Sequence, residues 1–230
     1  MQKTIGFIGG LTWHSTLDYY RLLNQLTNDR LGGAASAKIL LYSVNFEEIK
    51  TLTYANNWDA IATIMIGIAQ SLEKAGADCI LLGANTMHHI ADRVSDAIKI
   101  PLINIAETTA TAIAVNSFQK VALLGTKYTM QLPFYTNILA AHGIETIIPN
   151  QTAIDFINDT IYNEMGKGIF LPPTKEKYLQ IIHELTTKGA QGVILGCTEL
   201  PILIKQSDCS IPVFDTALIH ATAAVKFALD

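Results

Sequence analysis

The chain has 230 residues, 50% of them hydrophobic and 16% charged, with a formal net charge of -4. This balance describes a compact globular chain, one large domain or two smaller lobes, and excludes a disordered one. No Lys/Arg cluster points to nucleic acid or an anionic membrane, and no run approaches the ~18 apolar residues of a membrane span.

Met1-Gln2-Lys3-Thr4 leads straight into an apolar run, without the charged, apolar and small-residue zones of a secretory leader. The cysteines are three: Cys79, Cys197 and Cys209. An odd, sparse set is no disulfide framework, so a reducing, cytoplasmic setting is expected.

Taken in order, Thr4 to Ile8 reads as a buried strand. A helix follows, with Tyr19, Leu22, Leu23 and Leu26 at i, i+3, i+4 and i+7. Lys38 to Val44 is the next strand, and Ile61, Ile64, Met65 and Ile68 mark a second helix. Cys79 to Leu82 and Leu102 to Ile105 are further strands. The second half runs similarly. Val121 to Leu124 and Ile144 to Ile148 read as strands, and Tyr178, Ile181, Ile182 and Leu185 as a helical stripe. Gly192 to Leu195 and Pro212 to Phe214 read as strands again. Such alternation predicts an α/β fold with mostly parallel sheets flanked by helices.

The halves also match each other. IGFIGG at Ile5–Gly10 aligns with VALLGT at Val121–Thr126, and GADCILLGANT at Gly76–Thr86 with GAQGVILGCTE at Gly189–Glu199. IPLINIA from Ile100 aligns with IPVFDTA from Ile211. Three blocks in one order predict a duplicated α/β unit, two lobes related by a pseudo-twofold axis. In parallel sheets ligands bind beyond the carboxyl ends of the strands. The two equivalent ends are Gly83-Ala84-Asn85-Thr86 and Gly196-Cys197-Thr198-Glu199, which makes Ala84 and Cys197 equivalent positions. If the lobes face each other, the two residues line opposite walls of one cleft.

Cys197 is the candidate for chemistry. It follows an apolar strand and a glycine, and Thr198 is a plausible cap of a short helix starting near Glu199. Amide dipoles there would lower its pKa below the ~8.5 of a free thiol. Cys79 lies inside a strand and reads as core, and Cys209 as a loop thiol. Asn85 and Thr86 are placed to cap the helix through Ile90 and Val94, or to hold a carboxylate. Thr126 ends another strand, and Gly9 and Gly10 form the matching strand-to-helix turn. His88 and His89 read as structural or solvated. Lys167, between Gly166 and Gly168, is a solvated loop lysine by default, within reach of an acidic substrate. No zinc-site spacing is present, and Gly6-Phe7-Ile8-Gly9-Gly10-Leu11 does not fit a dinucleotide fingerprint.

These residues carry a resemblance. IGFIGGLTWHST, NTMH at Asn85–His88, VALLGTKYTM at Val121–Met130, GVILGCTELP at Gly192–Pro201 and PVFDTALIHA at Pro212–Ala221 make the chain similar to the aspartate/glutamate racemase family over nearly its whole length. The resemblance implies a two-lobed enzyme using neither pyridoxal phosphate nor a metal. Two cysteines flank the substrate Cα, one removing the α-proton and the other delivering one to the opposite face. Cys197 would be one of the pair. Gly10, Asn85, Thr86, Met87, Thr126 and Thr198 would surround the substrate, Asn85, Thr86 and Thr198 on its α-carboxylate. Lys167 would meet the side-chain carboxylate of a small acidic amino acid. The C-terminal helix would rejoin the first lobe, making the first lobe 1–100 plus 211–230 and the second 101–210, and the assembly would be a homodimer.

One departure matters: the other cysteine position holds Ala84, which neither takes nor gives a proton. The expectation is a one-way or slow racemase of aspartate or glutamate. Two other readings stand beside it. One is a single-cysteine decarboxylase or isomerase of small dicarboxylic acids. The other is an inert amino-acid-binding protein.

Overall fold

A computed structural model of the protein describes residues 2–230. They form two compact units, residues 2–104 with 220–230 and residues 105–219.

The first unit opens with β1 (Thr4–Gly9), then α1 (Trp13–Leu31), β2 (Lys38–Ser43), α2 (Phe46–Tyr54), α3 (Trp58–Lys74) and β3 (Cys79–Leu82). A 3₁₀ turn at Thr86–Ile90 leads into the short α4 (Ala91–Ser95). The sheet order is β2-β1-β3, all parallel. α1 begins at a cap in which the Thr12 side chain accepts from the Ser15 amide, and it buries Ser15, Thr16, Tyr19, Leu23 and Thr27. Leu22 and Leu26 sit at the edge of that face. α3 buries Ile61, Met65, Ile68 and Leu72, whereas Ile64 is exposed. The core packs these residues on Ile8, Ile80 and Leu82, each apolar side chain contributing ~1.5–3 kcal/mol when fully buried.

The second unit runs α5 (Ile105–Val115), β4 (Lys120–Gly125), α6 (Lys127–Gln131), α7 (Pro133–Ala141), β5 (Glu145–Ile147) and α8 (Gln151–Asn163). A 3₁₀ turn at Met165–Lys167 precedes α9 (Pro172–Thr187), β6 (Val193–Gly196), α10 (Leu200–Leu203), β7 (Val213–Asp215) and α11 (Thr216–Leu229), which ends within the first unit. The order β5-β4-β6-β7 is again all parallel. Tyr178, Ile181, Ile182 and Leu185 of α9 are all buried, as their spacing predicts.

The duplication shows in the strand orders: β2-β1-β3 corresponds to β5-β4-β6. The partner expected beside β3, Leu102 to Ile105, is reduced to one parallel bridge between Ile80 and Leu102. There the Ile80 amide donates to the Pro101 carbonyl at 2.9 Å and the Ile103 amide to the Ile80 carbonyl at 2.9 Å. Its counterpart β7 pairs fully with β6. The C-terminal segment leaves the second unit at 220, where 211 was expected. Among the described residues no helix is long and apolar enough to cross a membrane.

Candidate functional site at the end of β6

β6 is a fully buried run, Val193-Ile194-Leu195-Gly196, paired on both sides by β4 and β7. It delivers Cys197 at its carboxyl end, buried at 8% exposure. A Cβ on Gly196 would press on the Leu124 carbonyl, so the glycine lets the two strand ends lie close. Thr216 Oγ1 donates to the Leu195 carbonyl and ties the last turn of the strand to the start of α11.

The thiol is not where the sequence puts it energetically. The Cys197 Sγ donates to Glu199 Oε2 at 3.0 Å, and Thr198 Oγ1 donates to the same oxygen at 2.9 Å. Burial, then the Glu199 carboxylate, raise the thiol well above its ordinary range; amides of Glu199 and Thr198 pull the other way but lose. The expected low pKa is therefore corrected. α10 has four residues, too few for a sizeable dipole, and a buried like-sign neighbour outweighs it. Thr198 does not cap α10 either. Glu199 occupies the N-cap position, without a side-chain cap bond, and the Thr198 hydroxyl is spent on its carboxylate.

Glu199, 3% exposed, is the residue the sequence reading passed over as a helix start. Its signal was present: an acid two residues after a strand-end cysteine, where a tight turn folds the carboxylate back on the sulfur. Tyr178 of α9 lies within electrostatic reach of Cys197. Its hydroxyl bonds with Thr160 Oγ1 at 3.0 Å and donates to the Ile157 carbonyl at 3.2 Å, and burial holds it neutral.

In the first unit, the equivalent end of β3 carries Ala84, half-buried. Asn85 sits at the start of the 3₁₀ turn without a side-chain cap bond, so the expected Asn85 cap is not formed. Asn85 and Thr86 are both buried, and Met87 is part of the apolar core. His88 folds back and donates Nδ1–H to the Ala84 carbonyl at 3.0 Å. Its ring meets that of His220 edge-on, centroids 5.6 Å apart. His220 donates Nε2–H to the Ile103 carbonyl at 2.7 Å and accepts at Nδ1 from the Tyr19 hydroxyl at 2.9 Å. Desolvation lowers His88 to about 4 and His220 to about 3, so both are neutral. His88 is thus structural, as expected, whereas His89 is half-exposed against Trp58.

Gly10 has φ +77°, and a Cβ there would collide with the Val44 backbone. Its amide is already given to Thr16 Oγ1 at 2.7 Å. Thr126 caps α6, accepting from the Thr129 amide at 3.2 Å. Lys167 is exposed on its 3₁₀ turn, followed by left-handed Gly168. Cys79 is core, pushed up to about 12 by burial, and Cys209 is half-buried in its loop. Among the described residues no group of three or more His, Cys, Asp or Glu side chains is arranged to hold a metal ion.

The chain, two parallel α/β units of matching strand order with a buried thiol at one strand end, is of the class of amino-acid racemases that work without pyridoxal phosphate, as its relatives show. The chain belongs to the Asp/Glu/hydantoin racemase family, whose model matches residues 8–224. It is 26% identical to the broad specificity amino-acid racemase RacX of Bacillus subtilis (strain 168), over 96% of both chains. A provisionally assigned Asp/Glu racemase from Yersinia pestis superposes with a TM-score of 0.92 at 44% identity, covering 99% of this chain and 100% of the other. An aspartate racemase homologue from Pyrococcus horikoshii OT3 gives 0.87 at 36% identity, covering 100% of both.

Proposed function

We propose that the protein acts on small acidic amino acids, aspartate or glutamate, by proton transfer at Cα through the Cys197 thiol. The observation that carries this reading is a buried strand-end thiol with its own carboxylate partner, in a chain of the racemase family. Asn85, Thr86 and Thr198 hold the α-carboxylate and Lys167 the side-chain carboxylate, as the resemblance implies. With Ala84 at the equivalent position, thiol proton transfer is confined to the Cys197 face, and the opposite face is left to water or a more distant group. The enzyme is a one-way or slow racemase, working as a cytoplasmic homodimer.

The test is incubation with L- and D-aspartate and L- and D-glutamate in heavy water, following α-deuterium and enantiomer together. Deuterium incorporation lost on Cys197→Ala supports the reading, and unequal initial rates from the two enantiomers support its one-sidedness. Equal rates from both, retained in Cys197→Ser, would sink it.

The thiol's bond to Glu199 favours one second reading. A thiol held protonated is suited to quench a carbanion left by loss of carbon dioxide. Release of carbon dioxide from a substituted malonate, with no exchange into aspartate or glutamate, would select that decarboxylase reading.

A further inference from the structure

Sulfur and carboxylate meet at 3.0 Å in a buried turn. The same carboxylate oxygen is fixed by the Thr198 hydroxyl at 2.9 Å, so its position does not depend on the thiol alone. Cys197 is 8% exposed and Glu199 3%, so water contributes little to either group's solvation. In that setting the protonated thiol has an acceptor, whereas a thiolate would face a carboxylate oxygen at contact distance. Neither Tyr178 nor Glu164 brings a positive charge to the pair. Tyr178 on α9 is neutral and spent on Thr160 and the Ile157 carbonyl, and Glu164, felt by Tyr178, accepts from Thr174 at 2.7 Å.

We propose that Glu199 is a positioning residue that keeps Cys197 as a protonated thiol, making it the acid of the reaction in the resting enzyme. The inference rests on the reading of Cys197 as the proton-transfer group. In the step itself water on the face opposite Cys197 takes the substrate's α-proton and leaves the C–H electron pair on Cα; the S–H bond then breaks and its proton forms the new C–H bond with that pair. The sulfur keeps the S–H pair as thiolate. Repulsion from Glu199 then drives recovery of a proton from water, which resets the acid. Nothing is oxidised or reduced.

The experiment is the pH dependence of iodoacetamide labelling at Cys197, read by mass spectrometry of its peptide, in the parent, Glu199→Gln and Glu199→Asp. Gln keeps the size and removes the charge. Labelling at about pH 8 should rise at least about tenfold, the effect of one pKa unit on the thiolate fraction. Asp, which keeps the carboxylate, should remain as slow as the parent. Cys79, fully buried in the first unit, is the internal control: its labelling would report unfolding instead. If the Gln variant unfolds, the Asp variant decides, since fast labelling of a folded Asp protein overturns the proposal. A folded Gln variant labelling no faster than the parent also overturns it. On active substrate, the alkaline limb of the Gln variant's rate profile should move to lower pH in parallel with labelling. Labelling that shifts as expected in a protein without activity toward any amino acid would leave Glu199's role standing and sink the functional reading alone.

Discussion

Acidification should unfold the first unit through two histidines that the fold keeps neutral. His220 is fully buried between the Tyr19 hydroxyl and the Ile103 carbonyl, and His88 is buried against the Ala84 carbonyl and the His220 ring. An unfolded histidine titrates near 6.5, whereas here burial lowers His88 to about 4 and His220 to about 3. The sign follows from which state binds more protons. Between those folded values and 6.5 the unfolded chain is protonated and the folded one is not. Stability is therefore complete above about pH 6.5 and falls as the pH drops below it. The slope is about 1.4 kcal/mol per pH unit for each histidine. From about pH 6.5 to about pH 5 both stay neutral in the fold, and together they remove about 3 kcal/mol, the slope being half its full value at the unfolded pKa. That is a large fraction of the ~5–15 kcal/mol by which domains are stable.

Urea unfolding followed by tryptophan fluorescence is the assay, because Trp13 and Trp58 both lie in the first unit. His220→Gln, which leaves Tyr19 an amide partner, should lose about half of this acid sensitivity, whatever its stability at neutral pH. His88→Asn in addition should lose most of the remainder. If both variants lose stability between about pH 6.5 and 5 as steeply as the parent, the neutral histidine pair is not the cause and the reasoning is refuted.

Other consequences are simpler. Cys197→Ser should lower α-deuterium exchange by about 10²–10⁴, the usual worth of a positioned acid–base group, with unchanged unfolding; retained exchange would exclude Cys197 as the proton carrier. Ala84→Cys restores a thiol at the position equivalent to Cys197 and should bring the initial rates from the two enantiomers closer together, measured by chiral chromatography. No change would argue against that equivalence in function. Gly10→Ala should cost more than the ~1 kcal/mol of a routine glycine change, since its φ of +77° and the Val44 backbone both oppose a Cβ. A melting temperature within a degree or so of the parent would show that the β1–α1 turn yields.

The α/β class, the duplication and the placement of Cys197 at a strand end were all legible in the sequence. Each rests on local information: apolar runs of strand length, helical spacing such as Tyr178-Ile181-Ile182-Leu185, and blocks repeated in one order. The edges of that reading failed where neighbours decide. Ile64 has helical spacing yet faces solvent, because α3 turns Ile61, Met65 and Ile68 inward. Leu102 has a strand composition but makes one bridge, whereas its counterpart Val213, with a proline before it and a helix soon after it in the same way, lies in a paired strand.

The protonation state of the candidate acid belongs to the tertiary structure alone. From the sequence, a cysteine after a strand and before a helix gains amide dipoles and loses its proton more easily. In the fold, α10 is one short turn, Cys197 is buried, and Glu199 turns its carboxylate onto the sulfur. Spacing along the chain does not reveal which way a side chain two residues away will point, and in a buried turn that direction outweighs the dipole. The same holds for Tyr19 and His220, 201 residues apart, whose hydrogen bond exists only because α1 and the end of α11 pack in one unit.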